Sequence, residues 1–199
     1  MASSATVNSR IGVGSGGVRA ALHALFLLVI STLLSAGTAR AELLAVDKRG
    51  FLSEHVIEMP ASSTRVWEAL TAEIDRWWDA THSCGGKASA FSLDAKVGGC
   101  FCEMLDDGGS IEHMRVVQAR PGVSLVMQGG LGPLQFMGVA GSMSFTLSGE
   151  GETTELRYRY EVGGFSVQGL DVIAPAIDTV QLGQLRGLQV YLAGISEDE

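Results

Sequence analysis

Leu156-Arg157-Tyr158-Arg159-Tyr160-Glu161-Val162 alternates without exception, with Leu156, Tyr158, Tyr160 and Val162 on one face and Arg157, Arg159 and Glu161 on the other. Successive side chains of a strand point to opposite faces, so this stretch predicts a strand with one face buried and one wet. The same pattern runs upstream. Met143, Phe145 and Leu147 alternate with Ser142, Ser144, Thr146 and Ser148, and Leu125 with Met127 continues the apolar row. Between these runs, Asp106-Asp107-Gly108-Gly109, Arg120-Pro121-Gly122 and Gly149-Glu150-Gly151-Glu152 are turn chemistry. Sequential strands joined by short turns predict an antiparallel meander between about Ala88 and Phe165.

Beyond Gly163-Gly164 the period changes to 3.6. Ile177, Val180, Leu188, Tyr191 and Ile195 form a stripe that Leu185 and Leu192 widen, and Pro175 falls where a first helical turn tolerates a missing N–H. Such a helix is about 30 Å long at about 1.5 Å per residue, enough to cross a sheet. Before the meander, Phe51–Met59 reads as a strand with Leu52, Val56 and Ile57 among polar residues, and Pro60 ends it. Ser62 or Ser63 then caps a helix with Val66, Leu70, Ile74 and Trp77 at helical spacing, which Trp77-Trp78 closes before a small-residue loop from Ala80 to Ala88. The expected class is α+β, a curved antiparallel sheet wrapped around a long C-terminal helix. A cavity between them is the route to function.

Residues 1–41 have the three parts of a secretory signal. Arg10 and Arg19 give a basic start, Ala20–Leu34 an apolar stretch, and Ala39-Arg40-Ala41 a small-x-small cleavage signal. The apolar run is short of the ~20 residues a spanning helix wants, so export without stable membrane insertion is expected, to a periplasmic or secreted location. Gly12-Val13-Gly14-Ser15-Gly16-Gly17 fits a dinucleotide fingerprint in letters only, because no strand precedes it and no acidic residue follows at the needed distance. Residues 42–199 then form one domain with its core from about 50 to 196. In it 11 basic residues face 22 acidic ones, a net charge of −11. That balance repels phosphate backbones and argues against nucleic acid as a partner. No cofactor signature is present.

Strand, helix, antiparallel strands and a long closing helix together resemble the START-like (SRPBCC) superfamily, the helix-grip fold of polyketide cyclases and activator-of-Hsp90-ATPase-like domains. Three stretches carry the resemblance. Val97-Gly98-Gly99-Cys100-Phe101-Cys102-Glu103 resembles the Gly-Gly-x-Phe-x-Glu strand of these proteins. Val116-Val117-Gln118-Ala119-Arg120-Pro121-Gly122-Val123-Ser124-Leu125 resembles their strand, proline-containing turn and strand, and Thr153-Thr154-Glu155-Leu156 their last-strand entry. The resemblance implies a fold and a ligand cavity, and hardly any chemistry. An activator of a cytosolic chaperone fits poorly with an export signal, and no Gly-x-x-x-x-Gly-Lys-Ser/Thr loop offers an ATP site.

The candidate ligand-binding residues are Leu125, Met127, Met143, Phe145, Tyr158 and Tyr160 on the inward row, with Phe101 and the Trp77-Trp78 pair. Methionine adapts to varied apolar shapes and tyrosine adds a hydroxyl; the same row equally serves a filled core. Glu103 and His113, on strands joined by a tight turn, are the candidate acid–base pair. The structural alternative pairs Glu103 with Arg115 or Arg157 and leaves His113 at an edge. On simple alternation His113 shares a face with Ile111, Arg115 and Val117. Trp77-Trp78 either gates the cavity mouth or splits between core and surface, and Gly129-Gly130-Leu131-Gly132-Pro133-Leu134 is either a lid or a wide turn. Cys84 is open to a disulfide with Cys100 or Cys102, the alternative being unlinked buried thiols, whereas Cys100 and Cys102 share a strand face and are poorly placed to join each other. His82, Cys84, Cys100 and Cys102 match no standard zinc spacing, so no metal is expected. No Ser/His/Asp order marks a covalent mechanism. Three functions follow from these features: binding of a small hydrophobic ligand, a cyclase-like enzyme using Glu103 and His113, or a protein-interaction module.

Overall fold

The computed structural model describes Met1 and residues 40–195, with side chains in the domain from 43 to 194. The expected signal segment lies outside these residues apart from Met1 and from Arg40 and Ala41, the latter two opening the first strand. Among the described residues eight strands form one antiparallel sheet, and three α-helices accompany it. In chain order they are β1 (Arg40–Asp47), β2 (Gly50–Met59), α1 (Ser63–Ala72), α2 (Ile74–Trp77), β3 (Phe91–Leu93), β4 (Cys100–Met104), β5 (Ser110–Arg120), β6 (Ser124–Gly129), β7 (Gly138–Ser148), β8 (Thr154–Phe165) and α3 (Ala174–Ile195). The sheet order is β1-β2-β8-β7-β6-β5-β4-β3, so β3 to β8 form the meander and β8 returns to pair with β2.

Alternation in β7 and β8 does what the sequence predicts. Leu156, Tyr158, Tyr160 and Val162 are buried, and Arg157 and Arg159 lie outside, where they pair with Glu54, Glu155 and Glu161. Cross-strand register places Phe145 opposite Tyr158 and Met143 opposite Tyr160. Gly141 leaves room for the Tyr160 ring, because a Cβ there would stand 2.5 Å from Tyr160 Cε2. In β2 the register with β8 turns Phe51, Ser53, His55, Ile57 and Met59 inward, opposite Val162, Tyr160, Tyr158, Leu156 and Thr154. Leu52 and Val56 therefore face out, and two polar residues face the core.

Ser62 caps α1, its Oγ accepting from Arg65 N–H, and the helix breaks at Glu73 before α2. Pro175 is the second residue of α3, as its missing N–H allows. Ile177, Leu185, Leu188 and Leu192 bury the inner side of α3. Polar side chains tie it down as well: Gln189 Nε2 donates to Glu58 O at 2.7 Å, Gln184 Oε1 accepts from Asp79 N–H at 2.9 Å, and Tyr191 OH donates to Glu73 Oε2 at 3.0 Å. Gln181 and Gln184 are buried polar residues beside the apolar stripe.

Candidate functional site

A cavity of about 360 Å³ opens between the sheet and the N-terminal half of α3. Aromatic rings make one wall. Phe91 and Phe101 stack with centroids 5.4 Å apart, Trp78 lies 5.4 Å from Phe91 and 5.2 Å from Phe101, and the His113 ring sits 5.3 Å from each phenylalanine. Ile177, Val180 and Gln181 of α3 form the opposite wall, and Leu131, Gly132 and Pro133 a third. His82, Ser83 and Cys84 stand at the rim. The volume falls at the lower end of the ~300–1,000 Å³ of small-molecule pockets.

Behind the aromatic wall is a buried carboxylate. Glu103 is wholly excluded from solvent and accepts four hydrogen bonds: Ser83 Oγ–H at 2.6 Å, Gly85 N–H at 2.7 Å, Cys84 N–H at 3.1 Å and His113 Nε2–H at 3.1 Å. The Ser83–Gly86 turn wraps the carboxylate this closely because Gly85 has no side chain; a Cβ there would stand 3.2 Å from Glu103 Oε1. Burial by itself would raise the Glu103 pKa, but the donations from Ser83, Gly85, Cys84 and His113 outweigh it and hold the carboxyl below its ordinary range. For His113 the balance goes the other way: burial lowers its pKa despite the hydrogen bond and the charge of Glu103. The pair is thus a carboxylate and a neutral imidazole whose Nε2 carries the proton.

A β-bulge brings the pair together. β5 matches Met114 to Phe101 and then Glu112 to Cys102, skipping His113, so His113 and Met114 both turn inward. Simple alternation would put His113 with Arg115 and Val117, which are exposed. The bulge corrects that assignment. Neither arginine offered as a structural partner reaches Glu103: Arg115 pairs with Glu112 and Gly98 O, and Arg157 with Glu54 and Glu155.

The cysteine expectation is also corrected. Cys100 and Cys102 are bonded to each other, and Cys84 is a free, exposed thiol. Opposite the bulge β4 is contracted, with the two Cα atoms 5.4 Å apart instead of the ~6.6 Å of two extended residues, which is within bridging distance. Among the described residues no group of three His, Cys, Asp or Glu side chains is placed to hold a metal, so the His82, Cys84, Cys100 and Cys102 set does not assemble.

The other candidate residues divide. Trp78 and Phe101 line the cavity, while Trp77, Met127, Met143 and Phe145 line a recess of about 20 Å³ beside it. Leu125, Tyr158 and Tyr160 are buried and do not line the cavity. Tyr160 instead pins the Gly129–Leu134 loop, accepting from Leu131 N–H at 3.3 Å and donating to Gly129 O at 3.4 Å. Burial, partly offset by the Leu131 N–H, pushes its pKa up to about 12, which removes it as a base near neutral pH.

One cluster had no signal in the sequence. Ser53 Oγ–H donates to Asp178 Oδ1 at 2.5 Å, and His55 Nε2 lies 2.9 Å from the same oxygen. His55 stacks on Tyr158 at 5.8 Å. Both donors serve one carboxylate, and the serine proton is committed to it, so the trio is a clamp between β2 and α3 and no nucleophile is activated. Only the inward parity of β2 would have revealed it.

No family model matches the chain and no curated protein matches its sequence. Solved structures do match. A protein of Rhodobacter sphaeroides has a TM-score of 0.55 at 19% identity, over 78% of this chain and 99% of its own. CalU16 of Micromonospora echinospora gives 0.50 at 16%, over 79% and 85%. The fold is a helix grip. DynU16, a protein of the dynemicin biosynthetic locus, shares this helix grip with a TM-score of 0.50 at 20% identity, over 71% of this chain and 47% of its own. At these identities the likeness is one of fold.

The protonation states give a pH prediction for this helix-grip domain. Both folded pKa values are depressed, so between the folded and unfolded values the unfolded chain binds more protons and stability rises with pH. His113 contributes fully above its ordinary 6.5 and Glu103 above its ordinary 4.5, and each contribution is lost as pH falls from there through the folded value. Urea unfolding from pH 8 to 4 is expected to show a decline that begins near 6.5 and steepens below 4.5. In His113→Phe the upper part flattens; a wild-type profile level down to pH 5 would contradict the assignment.

Proposed function

We propose that the protein is an exported member of the START-like superfamily that binds a small apolar or amphipathic molecule between the sheet and α3, carrying or sequestering it. The cavity is the observation that supports this reading. Trp78, Phe91 and Phe101 offer it polarizable faces, Ile177 and Val180 aliphatic ones, and burial of apolar ligand surface is worth roughly 25 cal/mol per Å² before ordering costs. Native mass spectrometry of residues 42–199 and displacement of a fluorescent apolar dye test the reading together. Val180→Trp puts an indole into the cavity from α3 and is expected to abolish dye uptake while the circular dichroism spectrum is kept. No retained ligand and no dye uptake in the wild type would end the proposal.

The Glu103–His113 contact in the aromatic wall favours a second reading, a cyclase-like enzyme. A carboxylate that orients a neutral imidazole beside a bound ligand suits proton transfer, and DynU16 belongs to a biosynthetic locus. Turnover found in a substrate screen and abolished by His113→Ala would raise this reading above the first. Turnover that survives both His113→Ala and Glu103→Gln would remove the pair from the chemistry.

A further inference from the structure

Cys100 and Cys102 are joined across a single residue of β4, and that residue is Phe101. A bond so placed ties no two elements of the fold together. The entropy that a cross-link removes from the unfolded chain grows with the loop it closes, and this loop is the shortest that two same-face residues of a strand can make. The bond therefore adds little to global stability. Both cysteines are part-exposed on the outer face of the strand. Their neighbours across the register on β5 are Arg115 and Glu112, two exposed residues paired with each other, so the bond lies on a polar surface that a small thiol can reach.

The inner side of the same three residues is cavity wall. Phe101 is buried, its ring 5.2 Å from Trp78, 5.4 Å from Phe91 and 5.3 Å from His113. β4 is contracted at Phe101, with the flanking Cα atoms 5.4 Å apart, and the contraction lies opposite the bulge of β5 that turns His113 inward. A contracted segment brings the two sulfurs within bonding distance, and a fully extended one does not. Linkage makes the relation reciprocal. A bond that favours the contracted arrangement stabilises it in return, and with it the placing of Phe101 and His113 in the wall.

We propose that Cys100–Cys102 is a redox site for low-molecular-weight thiols such as glutathione, and that its oxidised state tightens the grip of the cavity on an apolar ligand. A thiolate attacks one sulfur, and the S–S bond breaks with its electron pair leaving on the other. A second thiol resolves the mixed disulfide. The protein gains two electrons and two protons, and two small thiols become their disulfide. The coupling to the cavity rests on the ligand-binding reading; the exchange itself does not.

Equilibration of the purified protein in mixtures of reduced and oxidised glutathione, without denaturant, tests the exchange. Iodoacetamide then traps free thiols for peptide mass mapping, and circular dichroism checks that the fold is kept. Cys100 and Cys102 are expected to be protected at the oxidising end, alkylated together at the reducing end, and protected again on return. Tryptophan emission should shift on reduction, because Trp78 packs on Phe101. Affinity for the fluorescent apolar dye should fall about 5-fold, the lower end of ordinary coupling between two sites. Cys100→Ser/Cys102→Ser should bind dye as weakly as the reduced protein and ignore glutathione. Cysteines that react only in urea, or that oxidised glutathione never protects, would overturn the redox site. Emission and dye affinity unchanged while both thiols appear would overturn the coupling. A wild type that takes up no dye in either state would end the proposed function and the coupling with it, and the alkylation pattern would still decide the redox site.

Discussion

Glu103→Ala is expected to lower the folding stability by about 4 kcal/mol, read as a drop in the urea midpoint at pH 7. Removing an acceptor strands its donors, and each buried donor left without a partner costs about 1–3 kcal/mol. Here four donors lose the carboxylate, Ser83 Oγ, Cys84 N, Gly85 N and His113 Nε2, of which Gly85 N–H keeps Ser83 Oγ at 3.1 Å and the exposed Cys84 and Gly85 are open to water. Water entering from the adjacent cavity recovers part of the loss, which is why about 4 and not the full sum is expected. Glu103→Gln keeps the shape but aims an NH₂ group at one set of donors, so it should cost about half as much. The Ser83–Gly86 turn loses its anchor in both variants, and amide hydrogen exchange at Cys84 and Gly85 should speed up more than in α1. A loss below about 1 kcal/mol in Glu103→Ala would show that the carboxylate does not hold this turn.

Asp178→Ala is expected to cost about 3 kcal/mol, because Ser53 and His55, both almost wholly buried, lose the carboxylate they share. His55 Nδ1 is already without a partner, so the ring would then keep only the long 3.3 Å contact of Nε2 with Ser53 Oγ. The companion variant separates clamp from packing. His55→Phe in the Asp178→Ala background replaces the stranded imidazole with an apolar ring over Tyr158 and should restore more than about 1 kcal/mol. Strictly additive losses in the double variant would mean that the two residues do not act as a unit.

Most of the framework was legible in the residues. β7 and β8 alternate cleanly because one face meets a core and the other water, and α3 shows its 3.6 period because one side is buried. β1 was not anticipated. It falls beside the expected cleavage site, and its Leu44 and Val46 face solvent at an edge of the sheet. The parity of β2 was hidden as well, since Leu52 and Val56 suggest an apolar face that the register with β8 turns outward.

The site was legible only in its pieces. Glu103 and His113 stood out as titratable groups on neighbouring strands, but their meeting depends on a one-residue bulge, and a single extra residue reverses the facing of every residue before it. The same region allowed Cys100 and Cys102 to join against the expectation from an ideal strand. The inward tyrosines looked like ligand contacts, yet Tyr158 lies in the packed core and Tyr160 is spent on holding a loop. The residues that face the cavity from α3, Gln181 above all, sit among apolar neighbours on a helix and carry no pattern of their own.

What the sequence by itself determined is the α+β class, the faces of β7 and β8, and the helix that closes the sheet, because solvent imposes those periods on every residue they contain. Tertiary structure decided which groups meet: the bulge that turns His113 toward Glu103, the glycine turn that wraps the carboxylate, and the Ser53–His55–Asp178 clamp. Each of these depends on the register between segments distant in the chain, and periodicity within one segment does not encode register.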